Sequence, residues 1–229
     1  MITIRSSSSV SAPALISFEA IVTTQGGIYE FSSDGLVLDS TSPFSGGLFG
    51  SIAWPRSRFQ IRPGLVIEQQ MFVSDGVSDI AISWELRGEL APAQLVVRPY
   101  FTGCAPRGYR DTGFHFESEQ QGGRLVWLPT VRGPKIIADT NGQYADEPLR
   151  LTEEIATSTQ TTQQLIAPGR FEFELNRHPS ILILSSEGRA KTQTQQFVGA
   201  FLANLMQRAP ASIELDDPAL TVVESPIAA

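Results

Sequence analysis

Acid–base chemistry needs paired titratable side chains, and this chain has candidates. Carboxylates at Glu68, Glu85, Asp111, Glu117, Asp139, Asp146, Glu147, Glu153 and Glu154 could form such pairs. A glycosidase sets its two carboxyl groups about 5 Å apart for retention, or about 6.5 to 9.5 Å for inversion. Sequence alone does not supply that distance. Glu153-Glu154 reads most simply as a solvated helical start. The two histidines are His115 and His178. His115 lies between Phe114 and Phe116, so on a strand it points away from both. If the two Phe are core, His115 faces solvent, either as a plain surface residue or in a sugar-binding groove. His178 precedes Pro179 in a turn and is assigned no role.

Other chemistries lack their motifs. Two His without a Cys cluster argue against a structural zinc site, so no metal is expected. Neither GxxxxGK[ST] nor a strand followed by GxGxxG occurs, and there is no GxSxG elbow, so no cofactor is expected. Asp139-Thr140-Asn141-Gly142 looks like the opening of a calcium loop but lacks the distal Glu. It reads as a turn, its Asn-Gly suited to a type I′ hairpin. Cys104 is the one cysteine. It reads as a small semi-buried residue, since a nucleophile would need a His beside it. Aromatic and Arg side chains in loops and at strand ends remain, and a carbohydrate site commonly combines the two. Trp54, Arg107, Tyr109, His115, Trp127 and Tyr144 are therefore candidate carbohydrate-binding residues, with Tyr100 a further aromatic near a strand end. Core packing explains most of the aromatics equally well.

The elements that would carry these residues are strands. Within Asp79 to Leu86 the even positions are apolar, a period of 2 that buries one face and wets the other. Leu65–Val73, Ile80–Leu86 and Leu95–Tyr100 form a meander. Further runs are read at Met1–Arg5, Leu15–Thr23, Ile28–Phe31, Leu36–Leu38, Phe114–Glu117, Arg124–Leu128, Pro134–Ala138, Arg170–Leu175 and Ser180–Ser185. Ser33-Asp34-Gly35 and Ala167-Pro168-Gly169 read as turns. Ser40–Arg58 is irregular, a ligand loop or a connection whose aromatics plug the core. Leu149–Thr162 reads as a loop or short helix passing into a strand that ends at Ile166. Thr192–Arg208 carries Phe197, Phe201, Leu202, Leu205 and Met206 at helical spacing.

About fifteen strands without interleaved helices predict an all-β fold, a large antiparallel two-sheet supersandwich with a short C-terminal helix. A flexible segment over 1–14, a sandwich domain over 15–189, and an amphipathic helix with a linker-like tail over 190–229 are the expected divisions. The chain has 229 residues, 41% hydrophobic and 18% charged, enough for one large β domain. Its net charge of −7 and lack of a basic stripe exclude a nucleic-acid partner. No run approaches a membrane span and no secretory signal is evident, so a cytoplasmic location is expected.

Several stretches carry a family resemblance. IEQQMFVSDGVSDIAISWEL, then LVVRPYFTG, then APGRFEFEL before SILILSSEG, resemble the N-terminal domain of bacterial and archaeal glycogen debranching enzymes of the amylo-α-1,6-glucosidase type. Thr23 to Tyr29 resembles a weakened form of the family's early TNGLGGY, and Pro43 to Phe49 stands for its RRYHGLL. The resemblance covers roughly Leu15 to Arg189. It implies a supersandwich that positions α-glucan or maltooligosaccharide and docks on a helical (α/α)6 catalytic barrel, in this chain's case a separate domain or chain. This chain alone is then expected to be non-catalytic. The family's aromatic WYRNF is replaced by Glu147-Pro148-Leu149-Arg150-Leu151. Two alternatives stand beside this reading. One is a galactose-mutarotase-like epimerase with His115 as acid and Glu117 or Glu147 as base. The other is a structural module forming a homodimer through the Thr192–Arg208 helix.

Overall fold

Alternating patterns become strands along most of the chain. The computed structural model describes residues 14–32, 56–73, 80–88, 92–102, 116–121, 124–129, 135–155, 161–175, 178–186 and 220–222. In chain order the strands are β1 (Ala14–Thr24), β2 (Gly27–Ser32), β3 (Arg56–Arg62), β4 (Leu65–Val73) and β5 (Ile80–Gly88). Next come β6 (Ala93–Thr102), β7 (Phe116–Gln121), β8 (Arg124–Pro129), β9 (Ile136–Thr140) and β10 (Gln143–Ala145). The last are β11 (Leu149–Ile155), β12 (Thr161–Ala167), β13 (Arg170–Leu175), β14 (Ser180–Ser186) and β15 (Leu220–Val222). They form two sheets, as expected for a sandwich. The first runs β10-β13-β6-β1-β2, with β12 also on β6 and β11 on β12. The second runs β15-β3-β4-β5-β14-β9-β8-β7. All pairings are antiparallel except β15 on β3.

Aromatic side chains span the gap between the sheets. Trp84 of β5 is fully buried, with its ring 6.0 Å from Phe18 of β1 and 5.8 Å from Phe173 of β13. Trp127 of β8 lies 5.5 Å from Phe101 of β6 and 5.8 Å from Phe171 of β13. Phe31 of β2 stacks on Phe59 of β3 at 4.4 Å. The Trp84 indole N–H donates to Gln69 Oε1 on β4 at 2.8 Å, which satisfies its one polar group inside the core.

Several details differ from the sequence reading. The strand β5 is not wet on one face: Ala81 and Ser83, opposite in facing to Ile82 and Trp84, are also buried. Solvent reaches it only from Glu85 onward. Strand β3 begins inside the stretch read as irregular. Leu149–Ile155 is a strand, not a loop or helix, and it forms a hairpin with β12; Glu153 and Glu154 lie on it. Its good helix formers are overridden by pairing along seven residues.

Asn141-Gly142 is not a hairpin turn. It carries the chain from β9 in the second sheet to β10 in the first. Gly142 is required there for space, because a Cβ would sit 2.5 Å from the Phe173 ring and 2.8 Å from the Glu172 carbonyl. Ala167-Pro168-Gly169 does not reverse the chain either. β12 pairs with β6 at Thr102 and Phe101, and β13 continues down the same strand from Val97 to Ala93. Pro168-Gly169 is thus a break inside one long run, opposite the stretch of β6 that holds Pro99. Neither proline can donate to the ladder. The strand expected at Phe114–Glu117 is described as Phe116–Gln121. Leu220–Val222, in the expected tail, adds an edge strand beside β3. The expectations for Met1–Arg5, Ser33–Leu38 and the Thr192–Arg208 helix lie outside the described residues.

Trp84→Ala is expected to cost about 3–5 kcal/mol of stability. Gln69→Leu should cost about 1–3 kcal/mol by stranding the indole N–H. Combined with Trp84→Phe, it should cost less than the two single changes summed. Urea midpoints in a double-mutant cycle check this.

Candidate functional site

Strands with aromatic residues on their inner face must turn their alternate residues outward. On β13, Phe171, Phe173 and Leu175 are buried, so Arg170, Glu172 and Glu174 occupy the outer face. On β6, Leu95 and Val97 are buried, while Gln94, Val96 and Arg98 alternate with them. The register places Glu174 opposite Gln94 and Gln143 opposite Glu172.

These residues line a cleft of about 360 Å³ at one end of the sandwich, together with Asn141, Gly142, Phe173, His178 and Ser180. Its floor is held by the crossover. The Asn141 side chain donates to Pro179 O at 2.9 Å and accepts from the Ile181 N–H at 2.8 Å. The Thr140 hydroxyl donates to Ile181 O at 2.7 Å and accepts from the Gly142 N–H at 3.0 Å. The cleft therefore offers amides, two carboxylates and an imidazole on a fixed backbone. That set donates to and accepts from vicinal hydroxyls. Among the described residues no His, Cys, Asp and Glu cluster could hold a metal.

The cleft continues into an ion-pair network across the same face. Arg170 Nε donates to Glu172 Oε1 at 2.9 Å, and its Nη1 to Glu147 Oε2 at 2.6 Å. Arg98 Nη2 donates to the same Glu147 oxygen at 3.0 Å. Arg98 Nε lies 3.9 Å from Glu19 Oε2, which accepts the Tyr100 hydroxyl at 3.0 Å. Burial, then the nearby Glu19 charge, pushes the Tyr100 phenol well above its ordinary value.

Of the predicted carbohydrate-binding residues, Trp54, Arg107, Tyr109 and His115 lie outside the described residues. Trp127 and Tyr144 are brought together, with ring centroids 6.0 Å apart. The Trp127 indole N–H donates to Tyr144 Oη at 3.2 Å, and the Tyr144 hydroxyl donates to Pro168 O at 3.0 Å. Trp127 is 0% exposed, so both faces of its ring meet protein. Tyr144 packs against the same core, and burial raises its phenol. A Cβ on Gly169 would strike the Tyr144 ring at 2.7 Å. Gln94, Gln143, Glu172 and Glu174 were not singled out from sequence. RFEFEL does show two carboxylates on one strand face, but their meeting with Gln94 and Gln143 depends on long-range register.

Four of the described acid–base candidates, Glu68, Glu85, Asp139 and Glu147, are engaged by arginines. Glu68, buried on β4, lies opposite Glu85 of β5. Arg58 Nε lies 3.4 Å from Glu68 Oε2, and Arg87 Nη2 lies 3.6 Å from Glu68 Oε1 and 2.9 Å from Glu85 Oε2. Asp139 accepts Arg124 through both oxygens, at 2.7 and 2.5 Å. Glu147, a base in the epimerase alternative, is shared by Arg98 and Arg170.

A family model described as glycogen debranching enzyme N terminal matches residues 13–182. No curated protein matches the chain. No helix among the described residues is long and apolar enough to cross a membrane.

The Tyr100 phenol bears on alkaline stability. Its value is raised in the folded chain, so the stabilisation is complete below the ordinary value of 10.0 and falls as pH rises beyond it. The unfolded phenol then ionises while the folded one holds its proton. Tyr100→Phe should flatten the loss of stability above that pH, read from urea midpoints across the alkaline range.

Proposed function

Because this chain belongs to the glycogen debranching enzyme N-terminal family, we propose that it is a non-catalytic domain that positions α-glucan for a helical glucosidase barrel on which it docks. The observation that supports this reading is the cleft of Gln94, Gln143, Glu172, Glu174 and His178 at the sandwich end. Carboxylates and amides held by a stiff sheet recognise sugar hydroxyls in paired donor–acceptor contacts. Glu174 lies on the exposed side of β13 and Gln94 is exposed opposite it. These two are the side chains in register to grip one glucosyl unit. The barrel would supply the acid and base carboxylates. The described carboxylates Glu68, Glu85, Asp139 and Glu147 are committed to guanidinium partners, which suits a positioning role.

Titration calorimetry with maltoheptaose tests this, with glucose release from limit dextrin assayed alongside. Calorimetry suits the chain because Trp84 and Trp127 are both buried and would report poorly on a surface ligand. Heat of binding without glucose release is expected. Gln94→Ala and Glu174→Ala should each weaken binding by roughly ten-fold, the effect of one hydrogen bond to a charged or amide group. Absence of binding, or binding indifferent to both changes, would remove the cleft from this role.

A further inference from the structure

Strand β11 is an edge. Among the described residues it pairs with β12 alone. Among the described residues no strand takes its second row of backbone N–H and C=O groups, the row a further strand would pair with. Leu149 and Leu151 are the large hydrophobics exposed among the described residues, at 38% and 41%. They stand opposite Ala167 and Leu165, which with Tyr100 form a buried cluster apart from the main core. An apolar strip thus runs from Tyr100 outward and ends at the open edge.

The sequence of this edge is complementary to itself. β11 reads LRLTEEI over seven residues. In an antiparallel pair of two copies centred on Thr152, Arg150 of each lies opposite position 154 of the other, a glutamate. Leu149 lies opposite Ile155, and Leu151 opposite Glu153. Other registers are worse. A slip of one residue would set the outer face of one copy level with the inner face of the other. A slip of two residues either places Glu153 opposite Glu153 or leaves Arg150 opposite Thr152, without a charge partner. Like charges directly opposite are destabilising, and the register about Thr152 is the one of these that gives Arg150 a charge partner.

We propose that β11 is a homodimer interface, at which a second copy of this chain adds its own β11 antiparallel about Thr152. Two seven-stranded sheets would then join into one continuous sheet across the two-fold. The interface leaves the cleft at Gln94 and Glu174 open in both copies, since that cleft lies at the β10–β13 end.

Sedimentation equilibrium of the full chain tests the proposal. The wild-type chain is expected to reach the mass of two chains. Arg150→Glu and Glu154→Arg each place two like-charge pairs in the interface, and each should weaken self-association by roughly ten-fold or more. Mixing the two variants should restore a dimer, because every Glu at positions 150 and 154 then meets an Arg. That rescue separates an interface effect from misfolding. A single-chain mass for the wild type at its highest soluble concentration would overturn the proposal. So would a dimer unaffected by both variants, or a mixture that fails to associate.

Discussion

Two tryptophans on one sheet set the distance to the other. Trp84 and Trp127 both point from the second sheet into the first, and each is met by phenylalanines of β13 and of a second strand. Filling the gap with rings fixes which face of β13 is inward. Alternation then leaves no choice for Arg170, Glu172 and Glu174. The chemistry on the outside of the first sheet is thus determined from the inside. A slip of one residue in β13 would bury three charged side chains and expose Phe171 and Phe173, a change far more costly than any contact in the cleft.

The network on that outer face serves geometry more than stability. Exposed ion pairs contribute about 0–1 kcal/mol each, and Glu147 is half exposed. One carboxylate shared by Arg98 and Arg170 nevertheless fixes the directions of two long side chains. It also ties the connection before β11 to β6 through the Glu147 carbonyl, which accepts Arg98 Nη1 at 3.0 Å. The buried Glu68 differs in kind. Removing its carboxylate would take away the charge that lies between Arg58 and Arg87 where water is scarce, with Arg87 keeping Glu85.

Most strands were legible because alternation over six or more residues survives any tertiary context. RFEFEL is a strand for the reason its sequence suggests, whereas IAISWEL is a strand covered on both faces at Ala81 and Ser83. The failures have separate causes. β3, RSRFQIR, hides its alternation among three arginines, although Phe59 and Ile61 are its buried positions. β11 is mostly Leu, Arg and Glu, which favour helices in isolation, and the partner strand decides otherwise. Asn141-Gly142 carries a strong hairpin signal, but β10 found its partner in the opposite sheet. Trp127 and Tyr144 were recognisable as two amphipathic rings among several, whereas their meeting and facing depend on which side of β8 meets β13. The cleft was illegible for the same reason: its residues come from β6, the β9–β10 corner and β13, joined by pairings that no local pattern encodes.

The ladder between β1 and β6 has a consequence for how the chain reaches this state. Thr24 pairs with Ala93 and Ala14 with Thr102, so the whole of β3 to β5 intervenes. β14 likewise waits to meet β5 until β13 has been made. Closing loops of that length precedes any reward from the contacts, which places the barrier high and the rate low. The hairpins β3–β4 and β4–β5 close locally and can form early. During synthesis β1 can pair with β2 at once, but it emerges long before β6 and the opposite sheet, with Phe18, Ala20 and Val22 uncovered. The interval between the appearance of β1 and of β6 is therefore when the nascent chain is most prone to mispairing, and when a chaperone holding the N-terminal strand would do most to raise the yield of native protein.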